Sequence, residues 1–172
     1  MDSLEQFDLI IKTPGITLID RDITKIKDKI TSQLELILEL YKNNTIGITG
    51  TKGKSTTTTL IYKILKDQKK DVYLLGNIGN PMFDNIEKFS ENTYLVIEMS
   101  ALQLEYVNKS PHIGCILNLF EDHLDHAGTK EHYHENKMNM FKYQTEYDYG
   151  IYSLDNKNTI NNEKVSKSLE YP

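Results

Sequence analysis

Apolar and polar positions alternate along the chain in blocks that predict strands and helices in turn. Apolar runs of strand length are each followed by a segment with helical spacing of apolar residues, giving strands at 44–49, 71–75, 93–98, 112–119 and 147–154 and helices at 54–67, 82–89, 100–107 and 130–142. This alternation predicts an α/β fold with a mostly parallel sheet and helices on both faces. The loops that follow the strands then share one edge, where ligands of such sheets bind.

The two ends of the chain follow this pattern less clearly. Apolar runs at 7–11 and 16–19, split by a Thr-Pro-Gly turn signal, predict two short strands. Ser32 and Glu35 have the spacing of a capping box and predict the start of a helix. Residues 155–172 are rich in Asn, Lys, Glu and Ser, which predicts a frayed tail or an interrupted further unit.

Composition narrows the class of protein. A net charge of -5 and a pI near 5.5 argue against binding to nucleic acid or to an anionic membrane. The sequence has no apolar run of membrane-span length, and its first residues are acidic, unlike a signal peptide, so we expect a cytoplasmic protein with no membrane or nucleic-acid partner. The single cysteine, Cys115, lies in an apolar run and is predicted to be a buried structural thiol.

The most informative segment reads G-I-T-G-T-K-G-K-S from Gly47 to Ser55, between a predicted strand and a predicted helix. Glycines in this setting let backbone N–H groups turn toward an anion, Lys54 adds a mobile positive charge, and Ser55 offers a hydroxyl to magnesium. The strict Walker pattern has glycine where this chain has Ile48, so the motif is a variant. It predicts a phosphate-binding loop; the alternative is a glycine-rich turn without a ligand.

Two further groups fall at the same predicted edge. Glu98 ends an apolar strand, where a carboxylate can bind the magnesium that bridges nucleotide phosphates. The alternative role for Glu98 is to cap the next helix, although Ser100 is the better cap. Asn77, in the turn G-N-I-G after strand 71–75, offers an amide to a phosphate or a substrate carboxylate.

A second polar cluster follows strand 112–119 and suggests a cation, through Asn118, Glu121, Asp122, His123, Asp125 and His126. Zinc through His123, His126, His132 and His134 stays open on chemistry, although the spacing matches no recognised zinc pattern. The simpler interpretation makes His126, His132 and His134 solvated surface residues. Lys137 lies on a predicted helix, and by composition alone it is a solvated charge.

These motifs in this order, G-I-T-G-T-K-G-K-S, G-N-I-G, E-M-S-A-L-Q-L-E and N-L-F-E-D-H-L-D-H followed by Y-x-x-x-K, resemble the Mur ligases. The likeness is greatest to the branch that adds D-glutamate in peptidoglycan synthesis. The resemblance implies a P-loop NTPase-like central domain. It also implies that ATP phosphorylates the carboxylate of a UDP-N-acetylmuramoyl-alanine and that the amine of D-glutamate attacks the acyl phosphate.

The resemblance also implies roles for single residues. ATP phosphates would be held by Lys54 and by its neighbours Gly50, Thr51, Lys52, Gly53, Ser55 and Thr56, together with Asn77. Magnesium, or manganese in its place, would be bound by Ser55, Glu98, His123 and a carbamylated Lys137. Lys54, His123 and Lys137 would be the catalytic residues. The muramoyl substrate would contact Asn77, Ser100 and Gln103.

Relatives have three domains, so the resemblance implies a division of this chain. Residues 1–30 would be the end of the UDP-binding domain and its linker, 31–155 the ATP-binding central domain, and 156–172 a tail or incomplete end of that domain, with the C-terminal ligase domain absent. We therefore expect weak nucleotide binding and no complete ligation from the chain alone. The alternative is a nucleotide-binding fragment without independent turnover; a GTPase or kinase would need an N-K-x-D motif or a lid, and neither is present.

Overall fold

The computed structural model describes residues 4–16, 18, 21–120, 130–156 and 166–171. Its main sheet has six strands, and every neighbouring pair in it is parallel. A separate two-stranded parallel pair precedes it. In chain order the strands are β1 (Ile10–Ile11), β2 (Ile30–Thr31), β3 (Thr45–Thr49), β4 (Val72–Gly76), β5 (Tyr94–Glu98), β6 (Ile113–Ile116), β7 (Tyr149–Ser153) and β8 (Lys167–Tyr171).

Helices cover both faces of this sheet. They are α1 (Gln33–Tyr41), α2 (Lys54–Asp67), the single turn α3 (Ala101–Leu104) and α4 (Lys130–Lys142), with 3-10 turns at Lys27–Lys29, Lys42–Asn44, Ile86–Lys88 and Leu154–Asn156. Alternate strand residues point to opposite faces. Val96 packs in the cluster that contains Ile61 of α2. Leu95 packs in the larger cluster that contains Ile37 of α1 and Met140 of α4.

The strand order places one crevice. The order across the main sheet is β4-β5-β3-β6-β7-β8. The chain therefore leaves β3 toward one side, returns to β5, and then crosses to β6 on the other side of β3. Ligands of open α/β sheets bind where the strand order reverses, outside the carboxyl ends of the strands. In this chain that position is the end of β3, between β5 and β6.

Most of the predicted strands and helices are confirmed, with exceptions both in the centre of the chain and near its ends. Residues 82–89 do not form an α-helix, because turns that begin at Pro81 and Phe83 leave only the 3-10 turn Ile86–Lys88. The 100–107 helix ends after one turn, before Tyr106, which has a φ of 60°. The first predicted strand shrinks to Ile10–Ile11.

Two further differences concern the apolar run 16–19 near the start of the chain and the polar segment 155–172 near its end. Among 16–19, residues 17 and 19 lie outside the described residues, and 16 and 18 belong to no strand. A frayed tail is the wrong prediction for Lys167–Tyr171, which form β8 and pair with β7. Strand pairing satisfies backbone N–H and C=O groups whatever the side chains are. The polar composition of this segment therefore did not indicate a strand.

Candidate functional site

The glycine-rich loop lies at the switch point and opens helix α2. Thr49 ends β3, and α2 begins at Lys54 after Gly53, which has a φ of 82° that favours glycine. The first N–H groups of an α-helix have no partner within the helix and carry the positive end of its dipole. Ser55 and Thr56 are exposed in this first turn. The loop therefore has the geometry of an anion-binding site, and phosphate binding by it stays a prediction.

Lys54 is half-buried and lies over its own loop. Its Nζ donates a hydrogen bond to the Thr51 carbonyl oxygen at 3.0 Å. No acidic residue lies in the first turn of α2. The ammonium group therefore adds positive charge beside the N-terminus of the helix, where an incoming anion would meet both.

Glu98 lies one strand away from this loop. Parallel pairing sets Glu98 opposite Ile48, and the next residue, Met99, donates its N–H to the Ile48 carbonyl at 2.8 Å. The Glu98 residue is 1% exposed. Its Oε1 accepts a hydrogen bond from Asn77 Nδ2 at 3.1 Å, while Oε2 has no partner among the described residues. A buried carboxylate oxygen without a partner is costly, so it is chemically suited to receive a cation.

The turn G-N-I-G holds Asn77 against Glu98. The Asn77 N–H donates to the Glu98 carbonyl at 3.1 Å. Gly76 has a φ of 100°, and a Cβ there would lie 2.2 Å from the same carbonyl oxygen. Only glycine fits this position, and the turn therefore brings the Asn77 amide to the carboxylate. The sequence predicts Asn77 at this edge of the sheet but not its hydrogen bond to Glu98.

Asn118 lies at the predicted edge of the sheet but makes contacts that the sequence did not predict. It was grouped with a cation-binding cluster, but its side chain binds the glycine-rich loop. Asn118 Oδ1 accepts from the N–H groups of Thr51 at 3.0 Å and of Lys52 at 2.8 Å, and Nδ2 donates to the Lys52 carbonyl at 3.0 Å. The parallel pairing of β3 with β6 produces this contact, because it sets the two loops that follow these strands side by side.

Lys137 is not a solvated charge, and the prediction from composition is wrong. The residue is 1% exposed, because α4 packs on the sheet along this side. Its Nζ lies 2.7 Å from Tyr133 Oη and 3.5 Å from Thr51 Oγ1. Helical spacing alone places Lys137 over Tyr133, and the tertiary fold brings both to the glycine-rich loop. One edge of the sheet, at the carboxyl ends of its strands, thus carries Lys54, Asn77, Glu98 and Lys137.

Comparison with known proteins matches this arrangement to a family. A family model described as the Mur ligase middle domain matches residues 48–171. The chain belongs to this family. The match begins within β3 and extends into β8, so it contains the glycine-rich loop, Glu98 and Lys137.

Two curated relatives carry the same name. The UDP-N-acetylmuramoylalanine--D-glutamate ligase of Clostridioides difficile (strain 630) is 41% identical over 159 residues, which are 90% of this chain and 35% of that protein. The enzyme of the same name from Clostridium kluyveri (strain NBRC 12016) is 36% identical over 176 residues, covering 99% of this chain and 38% of that protein. The chain spans about a third of the length of these relatives.

Solved structures of Mur ligases share the fold. The MurF ligase from Thermotoga maritima in complex with ADP aligns with a TM-score of 0.59 at 21% identity, over 95% of this chain and 41% of that one. The UDP-N-acetylmuramate:L-alanyl-gamma-D-glutamyl-meso-diaminopimelate ligase from Neisseria meningitides aligns with a TM-score of 0.63 at 16% identity, over 98% of this chain and 60% of that one. The predicted α/β fold of a Mur ligase central domain is confirmed.

Ser100 and Gln103, expected to contact substrate, have a structural role in this Mur ligase domain. The Gln103 N–H donates to Ser100 Oγ at 3.2 Å, and the Ser100 N–H donates to Gln103 Oε1 at 2.9 Å, forming the capping box of α3. Gln103 also lines a cavity of about 110 Å³ beside Thr13 and Tyr106. Their contact with substrate stays a prediction.

The second predicted cluster is described only in part. Glu121, Asp122, His123, Asp125 and His126 lie outside the described residues. His132 is not simply solvated, because its Nε2 lies 3.2 Å from Oε1 of the buried Glu105, which also pairs with Lys12 at 2.9 Å. Within the described ranges, no group of three or more His, Cys, Asp or Glu residues is arranged to hold a metal ion. The zinc interpretation therefore gains no support from this part of the chain.

The cysteine and the lengths of the helices bear on two predictions about the general character of the protein. Cys115 is buried, as predicted, and burial raises the pKa of its thiol to about 11. In the part of the chain that the structure describes, no helix has the length and apolar character needed to span a bilayer.

Proposed function

We propose that this protein is an ATP-dependent ligase of peptidoglycan precursor synthesis that joins D-glutamate to UDP-N-acetylmuramoyl-L-alanine. The names of its curated relatives support the reaction. The observation that carries the proposal is the meeting of a phosphate-type loop, ending in Lys54 and Ser55, with the buried carboxylate of Glu98 on the adjacent strand.

The reaction proceeds through two transfers. An oxygen of the alanine carboxylate attacks the γ-phosphorus of ATP, ADP leaves, and an acyl phosphate forms. The amine of D-glutamate, after losing a proton, attacks the acyl carbon, and inorganic phosphate leaves as the amide bond forms. Both reactants in the first step are anions, so positive charge must lower their repulsion. In this chain Lys54 and the N–H groups of the first turn of α2 supply that charge.

The phosphates are assigned to particular groups of the loop. Asn118 already occupies the N–H groups of Thr51 and Lys52. The N–H groups from Gly53 to Thr56 therefore take the phosphates, and the roles of Gly50, Thr51 and Lys52 are to shape the loop. Asn77 is held at Glu98, within reach of the same ligand edge.

A divalent cation fits the described oxygen donors. Glu98 Oε2 lacks a partner among the described residues, and Ser55 is exposed at the start of α2. Mg²⁺, or Mn²⁺ in its place, prefers such oxygen ligands and neutralises phosphate charge when bound. Lys137, once carbamylated, and His123 complete the proposed metal ligands. Carbamylation would convert the buried cation of Lys137 into an anion able to bind metal.

The remaining assignments follow from the same proposal. Asn77, Ser100 and Gln103 face the muramoyl substrate. Residues 31–155 are the ATP-binding central domain, and β8 within 156–172 adds a strand to its sheet; residues 1–30 join it to a UDP-binding domain. The whole enzyme works in the cytoplasm. Further domains, as in the longer relatives, complete the ligation.

A domain exchange tests this function. Residues 4–171 would replace the matching segment of the Clostridioides difficile relative, and phosphate release would be measured with ATP and Mg²⁺. The proposal predicts release that requires both UDP-N-acetylmuramoyl-L-alanine and D-glutamate. Replacing D-glutamate by L-glutamate or L-lysine is the control and should stop release. A folded chimera that releases phosphate without either substrate, or releases none with both, would contradict the proposal.

The second candidate is a nucleotide-binding fragment without independent turnover. The span of about a third of the relatives favours it for the chain studied alone. In that case the chain binds Mg-ATP in calorimetry yet releases no phosphate with both substrates present. Turnover by the chain alone would exclude this candidate, and heat of binding separates it from a chain that does not fold.

A further inference from the structure

The side chain of Asn118 pairs with the backbone of one residue of the glycine-rich loop, as a residue of a neighbouring strand would. Its side-chain amide both accepts from the Lys52 N–H, at 2.8 Å, and donates to the Lys52 carbonyl, at 3.0 Å. Its Oδ1 and its backbone oxygen each accept from the Thr51 N–H at 3.0 Å. Both polar groups of Lys52 and the donor of Thr51 are therefore satisfied by a single residue of another loop.

These contacts fix a segment that has no regular secondary structure. Glycines on either side of Thr51 and Lys52 allow many backbone conformations, so the loop alone does not specify one. The two hydrogen bonds from the planar Asn118 amide restrict the orientation of the Lys52 backbone. Asn118 is held in place by the end of β6, where the Leu117 N–H donates to the Thr49 carbonyl at 3.0 Å.

The Thr51 side chain adds a second contact between the glycine-rich loop and the segment that carries Asn118. Its hydroxyl accepts a hydrogen bond from the Phe120 N–H at 3.0 Å and lies 3.5 Å from Lys137 Nζ. The segment that carries Asn118 therefore contacts the glycine-rich loop at two successive residues and reaches the side of the loop that faces Lys137.

We propose that Asn118 is a positioning residue of the glycine-rich loop. By satisfying the peptide groups of Thr51 and Lys52, it holds the loop open in the shape that receives a phosphate and leaves the N–H groups from Gly53 onward to bind it. The part concerning phosphate rests on the proposed nucleotide binding. The hydrogen bonds between Asn118 and the backbone of Thr51 and Lys52, here called the clamp, are a property of the chain without ligand.

Hydrogen exchange of the ligand-free full chain tests the clamp directly. Asn118→Ala removes the side-chain bonds to Thr51 and Lys52 but keeps the backbone carbonyl that also accepts from the Thr51 N–H. The Lys52 amide loses its acceptor and should therefore exchange at least about tenfold faster, whereas the Thr51 amide should change less. Asn92→Ala is the matched control, because Asn92 is exposed and precedes β5 at the opposite edge of the sheet. It should leave both amides unchanged. Unchanged exchange of the Lys52 amide in a folded Asn118→Ala chain would overturn the clamp.

Calorimetry with Mg-ADP then tests positioning. Asn118→Ala should weaken binding about tenfold, while Asn92→Ala binds like the wild type. Faster exchange with unchanged affinity would overturn the positioning role. A wild-type chain with slow exchange at Thr51 and Lys52 but no heat with Mg-ADP would contradict the proposed function while supporting the clamp.

A second variant keeps the test decisive if Asn118→Ala fails to fold. Asn118→Asp retains the acceptor for both N–H groups but loses the donor to the Lys52 carbonyl. Slow exchange at Thr51 and Lys52 should therefore persist, with weaker Mg-ADP binding that recovers in part as salt screens the added charge. Fast exchange at these amides in a folded Asn118→Asp chain would overturn the clamp.

Discussion

Two buried carboxylates lie at opposite edges of the parallel sheet and differ in how completely they are paired. Asp148, at the amino edge before β7, is 2% exposed and accepts hydrogen bonds from Lys42 Nζ and the Thr145 N–H, both at 2.7 Å, while His112 Nδ1 lies 3.0 Å away. Glu98, at the carboxyl edge, is buried as deeply, yet one of its oxygens has no partner within the described residues.

This difference distinguishes an acid with a structural role from one that we propose to bind a cation. Burial of a charge is tolerated when the fold supplies its partners, as it does for Asp148. Where the fold leaves an oxygen without a partner, it accepts a cost in stability that a bound cation can offset. Asp148 at the amino edge therefore has the partners of a structural charge, and at the carboxyl edge the proposed cation would supply the missing partner of Glu98.

The largest effect is expected at the amino edge. Asp148→Asn removes the charge that pairs with Lys42 and turns an amide donor toward other donors, so the free energy of unfolding should fall by about 3 kcal/mol. Urea unfolding of the full chain measures this. Asp84→Asn, at an exposed position, is the control and should change stability little. A loss below about 1 kcal/mol in Asp148→Asn would remove the contrast between the edges.

The next effect is on ligand binding. Lys54→Ala removes the only side-chain cation in the first turn of α2, and Mg-ADP affinity should fall about a hundredfold, as expected for loss of a charged hydrogen bond. Stability should stay near that of the wild type, because Lys54 is half-exposed. Lys63→Ala, exposed on the same helix, should bind normally. Equal affinity in the two variants would exclude Lys54 from the site.

A smaller effect is expected from acid, which should weaken the contribution of Asp148 to the free energy of unfolding. Burial by itself raises the pKa of Asp148, but hydrogen bonds from Lys42, the Thr145 N–H and His112 outweigh it and hold the pKa below its ordinary value. The unfolded chain then binds the proton more readily, so this contribution to stability is complete above about pH 4 and is lost as pH falls through the lower folded-state pKa. Unfolding measured from pH 6 to pH 3 should show a steeper loss in the wild type than in Asp148→Asn. Parallel curves would contradict this.

The smallest effect concerns the sheet between the two edges. Because burial raises the pKa of Cys115 to about 11, the folded chain should react negligibly with a thiol reagent at pH 8. Adding denaturant should release one reactive thiol per chain. Rapid labelling of the native chain would show that this face of the sheet opens more readily than its packing indicates.

The sequence alone predicted those parts of the fold in which apolar residues form buried strands and polar residues lie at the strand ends. Apolar runs before Gly50 and up to Glu98 fixed the strands and placed both residues at the ligand edge. The sequence could not predict β8, because its pairing relies on backbone groups, or the burial of Lys137, because tertiary packing overrides the usual preference of lysine for solvent.

Within the site, the chemistry of single residues was easier to predict than their partners. Lys54 and Ser55 fall within a recognisable motif, whereas the Asn118 clamp depends on the pairing of β3 with β6, strands more than 60 residues apart in the chain. Once that strand order is known, the adjacency of the two loops follows. The bond between Asn77 and Glu98 follows in the same way from the pairing of β4 with β5.

The most direct test of the central claim is a calorimetric titration of ADP, with and without Mg²⁺, into the wild type and Glu98→Gln. Glutamine keeps the size of the side chain but removes the charge beside the loop. We predict that Mg²⁺ tightens binding to the wild type about tenfold or more and that folded Glu98→Gln loses this gain, while its Mg²⁺-free affinity does not fall. Absence of binding to the folded wild type, or the same gain from Mg²⁺ in both proteins, would contradict the account.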